Sequence, residues 1–178
     1  IRSQLGRQLE PFDIWFNGFK AGSKYSQEQL DRITMTRYPN VEEVQNDLPR
    51  MLRTLGFSPE KADFIASQIK VEGSRGAGHA WGALTRDDKA LLRTRIGANG
   101  MDYKGYNIAV HEFGHNVEQT ISLHDVDYYS LNRVPNTSFT EALAFIFQKR
   151  DLELLGLSGG DSMKEHMDAL ANFWSCYE

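Results

Sequence analysis

His111-Glu112-Phe113-Gly114-His115 constrains this chain more than any other segment. Residues four apart on a helix lie on one face, one above the other. Two imidazoles at that spacing can grip one zinc ion, each at about 2.0–2.1 Å. Glu112 projects about 100° round from His111, close enough to reach a water on the ion without displacing a ligand. That is the placement a general base needs. The pattern works only on a helix, and the flanking sequence predicts one: Tyr103 to Leu123 lacks proline and carries only Gly105 and Gly114. Val110, Phe113, Gly114, Val117 and Ile121 fall on an apolar arc about 200–300° round from His111. Both histidines lie outside that arc, so they face a cleft and not the core.

A catalytic zinc usually keeps three protein ligands and one open position. The extended pattern with a third histidine six residues on is ruled out, because Ile121 stands there and Glu118 replaces the expected glycine. A second helix is predicted from about Asn136-Thr137-Ser138 to Leu155, with Gly156 as its stop. Its first two turns are apolar nearly all round, which reads as a helix buried in the core, and Glu141 is the only acid within them. A lone carboxylate in such a setting must be paired or metal-bound. The competing role for Glu141 is a capping box with Ser138. Glu118 is a rival ligand, three residues past His115, but a third ligand from the same helix crowds one side of a tetrahedral ion. A place beside the substrate or on a solvated helix face suits Glu118 better.

His111-Glu112-Phe113-Gly114-His115, followed about 25 residues later by Phe139-Thr140-Glu141-Ala142, resembles the gluzincin zinc metallopeptidases. More narrowly it is similar to the thimet-oligopeptidase family and the related Taq-type carboxypeptidase family. Gly76-Ala77-Gly78-His79-Ala80-Trp81-Gly82 resembles the glycine-rich edge-strand segment that precedes the zinc helix in oligopeptidases. Leu91-Leu92-Arg93-Thr94-Arg95-Ile96 and Leu9-Glu10-Pro11-Phe12-Asp13-Ile14-Trp15 resemble further stretches of the same group. The resemblance implies one zinc per chain, held by His111, His115 and Glu141, with Glu112 as base. The implied reaction is hydrolysis of peptide bonds, internal or C-terminal. Enzymes of this type place tyrosine and histidine donors well beyond the third ligand. This chain ends at Glu178 in a helical pattern (Met163, Met167, Leu170, Phe173, Trp174) and begins at Ile1. The expectation is a single catalytic-core domain over 1–178, cut from a longer chain, with those donors outside it. Inside it, His124, Tyr128 and Tyr129 follow the zinc helix as candidate donors, and His79 is a candidate on the substrate side. His166 reads as surface.

Other function classes are constrained by composition. A net charge of −4 over 178 residues gives no basic footprint for nucleic acid. No apolar run approaches the ~20 residues that span a bilayer. Cys176 is the sole cysteine, which excludes an internal disulfide and fits a reducing compartment such as the cytoplasm.

The remaining pattern is mainly helical, an α+β chain with a small sheet before the zinc helix, as in a zincin-like core. Helices are predicted over residues 3–20, from Ser26 with Gln29 completing a capping box, over 41–55 with Asn40 and Glu43, and from Ser58-Pro59 to about Ile69. Between Val71 and Ile96 glycines punctuate two or three short strands, with Ala90 to Ile96 the clearest. An exposed edge there would hold an extended peptide by backbone hydrogen bonds. Gly78, His79 and Ala80 are the predicted contacts, with glycines where a peptide backbone approaches closely. Two rival readings are a peptide-binding pseudoenzyme and a purely structural helix pair. An intact Glu112 argues against the first, because binding alone needs no base.

Overall fold

Polar caps fix where the first helices begin. The computed structural model describes residues 8, 25–131 and 136–157. Helix α1, Gln27–Arg37, starts from Ser26, whose Oγ accepts from Gln29 N while the Gln29 side chain accepts from Ser26 N. This is the expected capping box. Helix α2, Val41–Thr54, starts from Asn40, whose side chain accepts from Glu43 N; Glu43 returns no bond, so the box is half made. Helix α3, Pro59–Ser67, is capped by Ser58 and carries Pro59 in its first turn. The stretches expected over 3–20, including Leu9 to Trp15, and over 163–176, including His166 and Cys176, fall outside the described residues, Gln8 excepted.

The punctuated segment folds into three short strands, β1 (Ile69–Gly73), β2 (His79–Trp81) and β3 (Ala90–Thr94), in the order β1-β3-β2. β1 runs parallel to the central β3, with Val71 opposite Leu92. β2 runs antiparallel to it, with Ala80 opposite Leu92. β2 is therefore an edge, as the resemblance implied. Alternation puts Ala90, Leu92 and Thr94 on the buried face of β3.

Helix α4, Tyr103–Asp125, lies against that face and is capped by Asp102, which accepts from Gly105 N. Val110, Phe113 and Val117 are each 1% exposed. Burying one such side chain contributes about 1.5–3 kcal/mol, several times a surface charge pair, so this stripe sets the roll of the helix. His111 and His115 are left on the other side. The predicted arc is observed, with Ile121 half-buried at its end.

Helix α5, Thr137–Lys149, crosses α4, and two expectations change here. The helix predicted to reach Leu155 breaks at Arg150, and a separate short helix α6, Asp151–Leu154, follows before Gly156 at φ +76°. At the break the Arg150 guanidinium donates to Thr54 O and Leu55 O at the end of α2, and also to Glu153. Nor is α5 buried all round. Ala144 and Phe147 pack inward, but Phe139 and Ile146 are over half exposed among the described residues. Its approach to α4 is nonetheless close. A Cβ at Gly114 would lie 2.8 Å from the Cα of Ala144. No helix among the described residues is long and apolar enough to cross a membrane.

That contact is directly testable. Gly114→Val should lower stability by about 1–3 kcal/mol, seen as an earlier urea midpoint, because backbone has to move to admit the side chain. An unchanged midpoint would mean that the two helices do not need this separation.

Candidate metal centre

α4 supplies two histidines four residues apart, and α5 brings Glu141 across to them. His111 Nε2 lies 3.4 Å from Glu141 Oε2, and His115 Nε2 lies 3.4 Å from Glu141 Oε1. One ligand atom from each residue falls within 4.8 Å of the other two, a set able to hold one metal ion. Both separations are longer than a tight ion pair. A charged N–H···O bond closes to about 2.7–2.9 Å, which neither contact does. Ligand atoms about 2.1 Å from a common tetrahedral ion stand about 3.4 Å apart. The cluster leaves room for one ion between its three residues.

The site is held from behind by a chain of hydrogen bonds whose polarity is fixed at one end. The Asp151 carboxylate accepts from Tyr103 OH at 2.5 Å, from Asn107 Nδ2 at 2.7 Å and from Leu152 N at 2.6 Å. An ionised carboxylate only accepts, so Asn107 must turn its amide NH2 to it. Asn107 Oδ1 is then left to accept from Gln148 Nε2 at 2.6 Å. That in turn points Gln148 Oε1 at His111 Nδ1, 3.1 Å away. Nδ1 then donates to Gln148, and Nε2 is the ring nitrogen left facing Glu141. Fixing the tautomer and ring of a ligand in this way strengthens metal binding. Burial, then the hydrogen bond to Asp151 and its charge, push the Tyr103 hydroxyl above the usual tyrosine range, which keeps it a donor. None of these partners was singled out in the sequence. The available signal was spacing: Asn107 is four residues before His111, and Gln148 is seven after Glu141, so each shares its ligand's face.

Glu141 reaches the histidines for a reason other than the one expected. Asn136, not Ser138, caps α5 through Phe139 N, so Glu141 has no part in a capping box. Its side chain is 43% exposed, so the premise of a fully buried lone acid does not hold either. It faces the histidines because it lies one turn before Ala144, where the helices touch.

Glu112 is held by the edge strand: Ala80 N donates to Glu112 Oε2 at 2.8 Å. His79, Ala80, Glu112 and the three ligand residues line one open cleft of about 580 Å³. Gly78 is placed differently from the reading that glycine there admits a substrate backbone. A Cβ at 78 would lie 2.9 Å from Ile108 Cγ2 and 3.3 Å from Arg93 O, so glycine lets β2 press against α4. Gly76 has open space around it. Tyr128 is 71% exposed and lines neither cleft at the site, and Tyr129 opens a single 3-10 turn over Tyr129–Leu131. His124 packs edge-on against Phe64 of α3 with ring centroids 5.2 Å apart. Burial and then the charge of Arg86 push its pKa down. Glu118 is buried, is not one of the ligand set, and accepts from Ser122 Oγ at 2.7 Å.

No family model, curated protein or solved structure matches this chain. The chemistry of the site is therefore argued from its own geometry.

Two substitutions test the centre. The protein should take up about one divalent metal ion per chain, and His115→Ala should lose most of it by elemental analysis. Stoichiometric metal in that variant would remove His115 from the ligand set. Gln148→Leu, which leaves every ligand in place, should weaken metal affinity by about 10–100-fold in a chelator competition. Wild-type affinity would show that the hydrogen-bonded chain does not act on His111.

Proposed function

We propose that this protein is a zinc-dependent peptidase of gluzincin type, with His111, His115 and Glu141 as ligands and Glu112 as general base. The observation that carries the reading is the pair of 3.4 Å separations between both imidazole Nε2 atoms and the two Glu141 oxygens, beside an open cleft that also exposes Glu112. Two imidazoles and one carboxylate suit zinc, and three protein ligands leave it a position for water or substrate. The chemistry that zinc supplies there is Lewis acidity, which makes water nucleophilic near neutral pH and polarises a carbonyl.

The residues of the chain do the rest. Glu112 takes one proton from the attacking water as its oxygen bonds the carbonyl carbon. It then gives that proton to the amide nitrogen as the C–N bond breaks, so acid and amine leave and the carboxylate is restored. The hydrogen bond from Ala80 N fixes one carboxylate oxygen and leaves the other for this transfer. β2 is an edge strand beside the base, and an extended peptide suits such an edge whatever its side chains. A purely structural pair of helices has no use for a carboxylate held at the mouth of a cleft.

Glu112→Gln tests the reading in the intact zinc-loaded protein. Zinc content and thermal unfolding should stay near wild type, while hydrolysis of a fluorogenic peptide falls by about 10²-fold or more. Equal rates in the two proteins would sink the assignment of the base. No hydrolysis by the wild type would sink the peptidase reading itself.

A further inference from the structure

We infer that the cleft beside the metal centre contains a subsite for a cationic group of the substrate, with Glu118 as its counter-charge. The inference rests on the peptidase reading for its setting, and it concerns selectivity where that reading concerns chemistry. A second cleft of about 450 Å³ runs from the centre along α4. It shares Ala80, Trp81, His115, Gln119 and Thr140 with the ligand-bearing cleft, so the two are continuous. One wall is Ala80 to Leu84; the other carries Glu118, Gln119 and Ser122.

Glu118 is out of place there for a protein that keeps the cleft to itself. It is only 8% exposed, yet among the described residues its one partner is the neutral Ser122 hydroxyl on Oε1. No lysine, arginine or histidine among those residues pairs with it. Oε1 is taken by Ser122, while Oε2 is not among the buried atoms left without a partner, so what exposure the side chain keeps leaves Oε2 for a cation or donors arriving through the cleft that it lines. The cleft is the side from which such a cation can come. Its opposite wall offers Trp81 and Leu84, both more than half exposed, which suit the methylene stem of a long basic side chain.

Position limits where on a substrate the charge must lie. Glu118 is three residues beyond His115, about 4.5 Å along the helix axis, against about 3.3 Å per residue of an extended peptide. The charge is therefore carried within about two residues of the bond that is cut. β2 runs in the same direction as α4, since Ala80 meets Glu112, Trp81 O meets Asn116 and Gly82 lies beside Gln119. A peptide antiparallel to β2 would have its N-terminal side in this cleft. An ammonium or guanidinium there has two sources, a lysine or arginine side chain and the free α-amino group.

Binding to zinc-loaded Glu112→Gln protein, which removes turnover, separates these sources by calorimetry. Acetylated peptides carrying lysine or norleucine in turn at each of the two residues before the central bond report the side chain. Free and acetylated norleucine peptides of matching lengths report the amino terminus. In at least one arm the cationic member should bind about tenfold tighter or more, and adding Glu118→Gln should bring that ratio close to one. Equal binding of charged and uncharged members, no binding by any of them, or a preference that survives Glu118→Gln would overturn the subsite. The first comparison needs no change at Glu118, so it stands even if that variant fails to fold. Wild-type hydrolysis of the same peptides is scored separately. Cleavage without a cationic preference defeats the subsite alone, and a cationic preference in binding without cleavage defeats the peptidase reading alone.

Discussion

The candidate metal centre depends on the contact between Gly114 and Ala144. At that point α4 and α5 approach until a Cβ on Gly114 would stand 2.8 Å from a backbone carbon. Ordinary contact would push α5 away by about 1 Å, and a misplacement of that size is what reacting groups tolerate least. Glu141 would then leave both histidines together, since its two oxygens face one imidazole each. The pentapeptide therefore works on two sides of one helix. His111, Glu112 and His115 face the cleft, while Phe113 and Gly114 face the core and set how near the third ligand can come.

The break at Arg150 looks at first like a loss of helix, but it puts a charge where the site needs one. Arg150 is tied to the end of α2, and the next residue, Asp151, turns inward to Tyr103 and Asn107. Removing that carboxylate from water costs several kcal/mol, and three hydrogen bonds to it at about 1.5–3 kcal/mol each offset the cost. The charge then orders two amides in sequence and through them the ring of His111. A helix continuing straight through Arg150 would point Asp151 elsewhere and leave Asn107 and Gln148 free to turn either way. Fold and ligand tautomer are thus linked through a residue forty positions from the histidine it governs.

How much of this could be read from the chain follows from the range of each interaction. The Ser26 cap, the roll of α4 and the strand at Ala90 were legible because their causes lie within a few residues. The shared face of His111 and His115 was legible for the same reason, through helical spacing. Glu141 was singled out on an argument that the structure does not support, burial, and it reaches the histidines through a different cause, the close crossing of two helices. That crossing is written in Gly114, but a glycine names no partner until Ala144 is known to face it. The break at Arg150 was missed because local pattern favours a continuous helix, while the partners of Arg150 there include Thr54 and Leu55, nearly a hundred residues away. Gly78 was read as room for a substrate when it is room for Ile108, since sequence does not say from which side a glycine is crowded.

The edge strand joins these elements to the proposed chemistry. β2 has only three residues, and with the following Gly82 it meets α4 successively at Glu112, Asn116 and Gln119. Its Ala80 N–H is engaged by Glu112, so a peptide lying on this edge cannot take that donor without displacing the base. On the proposed reading, a peptide substrate would use the remaining positions of the strand, which restricts its register. Base and peptide are then held by one short element, packed on the helix that carries the histidines. Their separation does not depend on the movement of a loop. An arrangement of this kind lowers the reorganisation needed at the moment of reaction, which is where positioning contributes most to rate.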